Sequence, residues 1–194
     1  MRYNAQFGKP EKYIGPGDYF ASAEDVIIST LLGSCISVAL FDRTAKVGGL
    51  NHFMLPFPKT RDEEGLFSQS SRYGINAMEL LINEILKKGG VKKNLHAKVF
   101  GGSSVIDFRK EATYNIPKMN IEFIFGFLEA EHIAVDSYSV GGSLPRKIVF
   151  FPLESRVLMR FSRTESSGLA HREDVYSQRL RESDAGGSGG PILF

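Results

Sequence analysis

The chain holds one cysteine, Cys35, and the first of its four histidines, His52, follows it by 52 − 35 = 17 residues. A thiol attacks an acyl carbon as the thiolate, and a free thiol titrates near about 8.5, so a nucleophilic cysteine needs an imidazole or a positive dipole beside it. The separation suits two antiparallel strands joined by a turn, which brings thiol and imidazole together. His96, His132 and His171 fall at a helix exit, at a helix end and in a polar C-terminal stretch, positions typical of solvated histidines. Residue type alone leaves a second reading open for each partner. A lone cysteine packs well as a small hydrophobe, and a strand histidine can bond a carbonyl in the core.

Gly33-Ser34 immediately precede Cys35. A flexible turn there can aim backbone N–H groups into a cavity and stabilise an oxyanion, which makes Gly33 and Ser34 candidate substrate-binding positions. A working imidazole also needs a group to fix its tautomer, and Ser29 and Thr30 supply hydroxyls just upstream. A single cysteine excludes an internal disulfide and a cysteine-rich zinc site. No metal and no organic cofactor is expected.

The elements that must position these residues follow from the apolar pattern. Residues 26–40, VIISTLLGSCISVAL, read as a buried strand, a tight turn and a second buried strand. A hairpin then leads through Asp42 to Thr44 into a third strand, residues 47–55, which carries His52. Residues 56–72 read as an exposed polar loop and residues 73–88 as an amphipathic helix stopped by Gly89-Gly90. A short strand, AKVFGG, precedes a buried helix over NIEFIFGFLEAEHI. The strand AVDSYSVGG and a hairpin formed by RKIVFFP and SRVLMRFS complete the core. The expected fold is α/β, a sandwich of mixed β-sheet layers with flanking helices in one domain spanning residues 1–163. Residues 164–194 read as a polar, partly disordered tail with an apolar end at Ile192-Leu193-Phe194.

The 194 residues, 42% hydrophobic, suffice for one sizeable core. The 24 basic and 22 acidic side chains are interspersed, without the basic stripe that nucleic-acid binding needs. The N-terminal residues lack the apolar run of a secretory signal, and no stretch reaches the roughly 20 apolar residues that span a bilayer. A cytoplasmic protein that does not insert into the membrane is expected.

Two segments taken together resemble a known family. Ser29-Thr30-Leu31-Leu32-Gly33-Ser34-Cys35 and Gly48-Gly49-Leu50-Asn51-His52-Phe53-Met54-Leu55-Pro56 resemble the signature of the chemoreceptor glutamine deamidases, CheD. The resemblance continues through Tyr73, Phe100-Gly101-Gly102, Asn120, Gly141-Gly142 and Arg146-Lys147, over about residues 12 to 162. It implies that Cys35 is the nucleophile, His52 the base, and the hydroxyl six residues before the cysteine the group that orients it. That position is Ser29 where a threonine is expected, with Thr30 as the alternative. Ser103 and Pro145 also depart from the family pattern. Phe100, Gly101 and Gly102 are possible pocket lining, although the glycine pair is equally compatible with a plain turn. Glu173, Tyr176 and Leu193-Phe194 loosely match the C-terminal end of longer members.

The implied activity is that of a protein-glutamine glutaminase, an amidohydrolase that converts glutamines of methyl-accepting chemotaxis proteins to glutamate. The implied partner is a CheC-type phosphatase, and the implied state a monomer. Two other readings stay open: a chemotaxis binding protein acting mainly through that phosphatase, and a cysteine hydrolase acting on other amides.

Overall fold

The apolar run at residues 26–40 forms two strands that belong to different sheets, and the Gly33-Ser34-Cys35 link carries the chain between them. A computed structural model describes residues 1–56, 69–104 and 115–162, with Gly168, Leu169, Glu173, Val175, Tyr176 and residues 178–180. The strands in chain order are β1 (Arg2–Asn4), β2 (Lys9–Tyr13), β3 (Tyr19–Ser22), β4 (Ile27–Leu32), β5 (Ile36–Asp42), β6 (Val47–Asn51), β7 (His96–Gly101), β8 (Ala134–Val140), β9 (Arg146–Phe151) and β10 (Arg156–Phe161). Helix α1 (Gln69–Lys87) lies between β6 and β7, and α2 (Ile116–Ala130) between β7 and β8. One sheet has the order β1-β2-β4-β9-β10 and the other β3-β6-β5-β7-β8.

The result is three layers. Ile28 and Leu32 of β4, with Ile148 and Phe150 of β9, meet Ala39, Phe41 and Leu50 of the other sheet, and Cys35 lies within this inter-sheet layer. On the far face of the second sheet, Ile36, Val38, Leu40 and Val99 pack against Met78, Leu81 and Ile85 of α1 and Phe123, Ile124 and Leu128 of α2. Side chains alternate faces along a strand, so a strand covered on both sides must be apolar throughout. This is why all seven residues of β5 are buried.

The mixed layers expected from sequence are the architecture found. The C-terminal hairpin pairs Arg156 with Phe151 and Phe161 with Arg146. The first helix begins earlier than its periodicity indicates, so residues 69–72 of the expected loop are helical and Ser71 is buried. Residues 57–68 of that loop lie outside the described residues. The second helix starts at Ile116, not at Asn120: the Asn115 side chain accepts from the Lys118 N–H at 3.1 Å, and Pro117 sits in the first turn. Asn120 is thereby carried onto the buried face of the helix.

Strands β1 to β3 were not anticipated, because they are short and carry polar residues outward. Within 164–194, the described residues from Gly168 to Leu180 are helical, with Leu169, Glu173 and Leu180 buried. His171 and Leu193-Phe194 lie outside the described residues.

Candidate active site

The hairpin of β5 and β6 pairs Asp42 with Val47 and Ala39 with Leu50. Past its open end Ile36 and Phe53 exchange both backbone hydrogen bonds, at 2.8 and 2.9 Å. Ile36 and Phe53 face the helices. Their chain neighbours Cys35 and His52 therefore face the opposite way, into the inter-sheet layer. His52 follows the last residue of β6 and is not part of the strand. The thiol sulfur, an imidazole nitrogen of His52 and a carboxylate oxygen of Glu173 all lie within 4.8 Å of one another.

Thr30 reaches the imidazole: its Oγ1 lies 2.8 Å from His52 Nδ1. The same hydroxyl donates its only proton to the Ile14 carbonyl at 2.9 Å. It can then serve His52 only as an acceptor, so Nδ1 carries the imidazole proton and Nε2 of the neutral ring is the basic nitrogen. Ser29 does not reach the histidine. As the preceding residue on β4 it points to the other face, where its hydroxyl donates to Glu11. Ser29, expected to reach His52, does not, and the hydroxyl that does is that of Thr30, the alternative.

The turn at residues 33–35 leaves the ladder of one sheet before joining the other, so its peptide groups need partners elsewhere. All six have one. Gly102 N–H donates to the Cys35 carbonyl (2.8 Å), Ser103 N–H to that of Gly33 (2.7 Å), and the Asn120 amide to that of Ser34 (2.9 Å). The three N–H groups converge on one carboxylate: Gly33 (3.0 Å) and Cys35 (3.4 Å) donate to Oε1 of Glu173, and Ser34 (3.0 Å) to Oε2. The Ser34 hydroxyl adds a bond of 2.6 Å to Oε2.

Phe100, Gly101 and Gly102 support this turn from behind. Phe100 packs in the layer that holds Cys35. Gly101 has φ +112°, and a Cβ there would lie 2.1 Å from the Cys35 carbonyl oxygen, so only glycine fits so close to the Cys35 backbone. The contacts described place Phe100 to Gly102 against the turn that carries Cys35. Arg146, 3% exposed, ties the following loop down by donating to Ser103 Oγ and, at 2.6 Å, to the Gly141 carbonyl. Asn120 accepts from the Leu55 N–H at 2.8 Å while donating to Ser34, joining the segment after His52 to the turn at residues 33–35.

Cys35 is 0% and His52 1% exposed. Burial pushes the Cys35 thiol well above its ordinary value, and the adjacent Glu173 carboxylate pushes it further. Burial also raises the Tyr176 phenol to about 12, helped by Cys35 and Asp18. A cavity of about 90 Å³ is lined by Asp18, Asn51, Phe53, Met54, Tyr73 and Tyr176. Cys35, His52 and Glu173 are donor types that hold divalent cations, but both Glu173 oxygens are already turned to N–H groups of residues 33–35. That arrangement fits an anion cradle better than a ligand set.

His96 and His132 lie apart from the site. His96 Nδ1 is 2.7 Å from Asp136, and His132 is exposed. Glu173 was not among the site residues expected from sequence, because its partners lie 138 to 140 positions away. The loose match of Glu173 and Tyr176 to longer CheD proteins was the signal that could have found it.

Comparison with known proteins adds an independent line. The family model described as CheD chemotactic sensory transduction matches residues 54–161. A probable chemoreceptor glutamine deamidase CheD of Herminiimonas arsenicoxydans is 38% identical, covering 95% of this chain and 90% of that protein. One from Methylobacillus flagellatus is 39% identical over 96% of this chain and 92% of its own length. A probable chemoreceptor glutamine deamidase CheD 1 of Shewanella oneidensis is 40% identical over 95% and 89%. Among solved structures, a Neisseria meningitidis protein assigned to DUF152 matches with TM-score 0.41 and 13% identity, covering 71% of this chain and 65% of that one. That likeness is too distant to bear on the chemistry.

Proposed function

The chain belongs to the CheD family, and from that premise we propose that it deamidates glutamine side chains of chemoreceptors to glutamate, with Cys35 as nucleophile, His52 as general base and acid, and Thr30 as the residue that orients His52. The observation that carries this reading is the convergence of Cys35, His52 and the three N–H groups of residues 33–35 on one point.

Nε2 of His52 takes the thiol proton, and the Cys35 sulfur attacks the side-chain amide carbon of the glutamine. The amide oxygen gains negative charge and is received by the N–H groups of Gly33, Ser34 and Cys35. Removing one such donor typically costs about 10² to 10³ in rate in a hydrolase. The imidazolium returns its proton to the leaving nitrogen, the C–N bond breaks and ammonia departs. Water, deprotonated by His52, then adds to the thioester; the C–S bond breaks, releasing glutamate and restoring the thiol.

The substrates of this reading are methyl-accepting chemotaxis proteins, in which a new carboxylate becomes open to methylation. A cytoplasmic location, a monomeric state and a CheC-type phosphatase partner belong to the same proposal. Among the described residues no helix is long and apolar enough to cross a membrane, in keeping with it.

The test is mass spectrometry of a chemoreceptor cytoplasmic fragment incubated with the protein and with its Cys35→Ala variant. Each glutamine converted adds about one dalton, as hydrolysis through a thioester requires. A gain with the unaltered protein alone supports the reading. An equal gain with Cys35→Ala, or none with any of several receptors, contradicts it.

A further inference from the structure

Deamidation leaves a glutamate side chain in the site, and a glutamate side chain is already there. The Glu173 carboxylate is 1% exposed, accepts the N–H groups of Gly33, Ser34 and Cys35, and lies within 4.8 Å of the thiol and the imidazole. A protein-borne glutamine cannot meet a thiol that is 0% exposed. Whatever covers Cys35 has to leave. Two walls of the site are strands of the inter-sheet core, whereas Glu173 and Tyr176 come from the C-terminal helical residues.

We infer that Glu173 is a built-in mimic of the product, through which the C-terminal helical residues block the active site until a substrate helix displaces them. This rests on the deamidase reading and adds to it a form of control. The internal occupant presents its side chain from a helix. Leu169, Tyr176 and Leu180 stand four residues before it and three and seven after it, which is one helical face. Leu169 and Leu180 are buried, and Tyr176 packs against the layer holding Cys35.

Departure of Glu173 does two things. It removes a carboxylate from beside the thiol, so that His52 can draw the proton off, and it leaves three buried N–H groups without an acceptor. A substrate amide oxygen supplies that acceptor.

Two measurements test this, one of them independent of any receptor. Because Cys35 is the only cysteine, carbamidomethylation by iodoacetamide reports it directly. Full-length Glu173→Ala is expected to be alkylated at least roughly tenfold faster than the unaltered chain at pH 7.5, since thiol reactivity follows thiolate content and access. Equal rates, with both proteins folded by circular dichroism, overturn the inference. The second uses Glu173→Gln, which makes the occupant a substrate in place. Its intact mass is expected to rise by about one dalton over time as the same thioester cycle runs within one chain, and not to rise in Glu173→Gln with Cys35→Ala. A constant mass beside unchanged alkylation contradicts the product-mimic assignment. Faster alkylation of Glu173→Ala with no receptor modified by either chain upholds the block and removes the receptor as substrate.

Discussion

Thr30 and His52 meet in a 2.8 Å hydrogen bond whose direction is set by a third atom, the Ile14 carbonyl oxygen that takes the threonine proton. A neutral hydroxyl thus does for this imidazole what a carboxylate does in a Ser-His-Asp triad, fixing the tautomer without adding charge. Thr30→Val keeps the shape of the side chain and removes the acceptor. We expect kcat to fall by roughly 10- to 100-fold, a part of what a well-placed general base contributes, with KM little changed. Thr30→Ser should stay close to the unaltered protein. Steady-state ammonia release on a receptor fragment checks both.

Ser29 predicts the opposite separation of effects. Its hydroxyl donates to Glu11, which is 2% exposed and also accepts from Arg2 and Asn4. Ser29→Ala removes one of these donors from a buried carboxylate, which costs about 1–3 kcal/mol of stability. A lowered melting temperature with unchanged kcat per folded molecule is the expected pair of results. A fall in kcat at unchanged stability would return the orienting role to Ser29.

Asn120 joins α2 to both sides of the site. In Asn120→Asp the bond from Leu55 N–H survives, but the donor to the Ser34 carbonyl is replaced by a second oxygen. The change should cost about 1–3 kcal/mol and lower kcat/KM as the turn shifts. Urea unfolding and deamidation rate, measured on the same preparation, check whether the two losses occur together.

Acid should destabilise the fold through Asp42. Burial disfavours its charged form, but N–H bonds from Ala45, Val91 and Thr44 and the Asn94 side chain outweigh it and hold the carboxyl below its usual range. A carboxyl depressed in the folded state contributes stability that is fully present above its unfolded value of about 3.9 and is lost as pH falls through the folded one. Glu11 is depressed in the same direction, its hydrogen bonds from Ser29, Arg2 and Asn4 again outweighing burial. Urea midpoints should be level above about pH 5 and fall below pH 4, less steeply in Asp42→Asn. Parallel curves for the two proteins would remove Asp42 from the account.

The parts of the site that could be read from the residues alone are those joined by short stretches of chain. Cys35 and His52 lie on one hairpin, whose apolar run and polar turn mark it locally. The choice between Ser29 and Thr30 turned on which face of β4 meets the histidine, and adjacent strand residues differ in nothing else. Glu173 is marked in the sequence only by its loose match to longer family members; its place beside Cys35 depends on contacts that close a loop of about 140 residues. The start of α2 is marked by Asn115 and Pro117, whereas the apolar density marks only the part of the helix from Asn120 onward.

The turn at residues 33–35 has its three carbonyls held by Gly102, Ser103 and Asn120, two of them in the loop after β7 and one on a helix beyond the second sheet. The thiol is thus a point at which both sheets and the helical layer are measured against one another. The hairpin of β5 and β6 by itself holds none of the three anchors. Catalytic competence should therefore emerge late in folding, as the layers dock, and vanish in denaturant together with the cooperative transition.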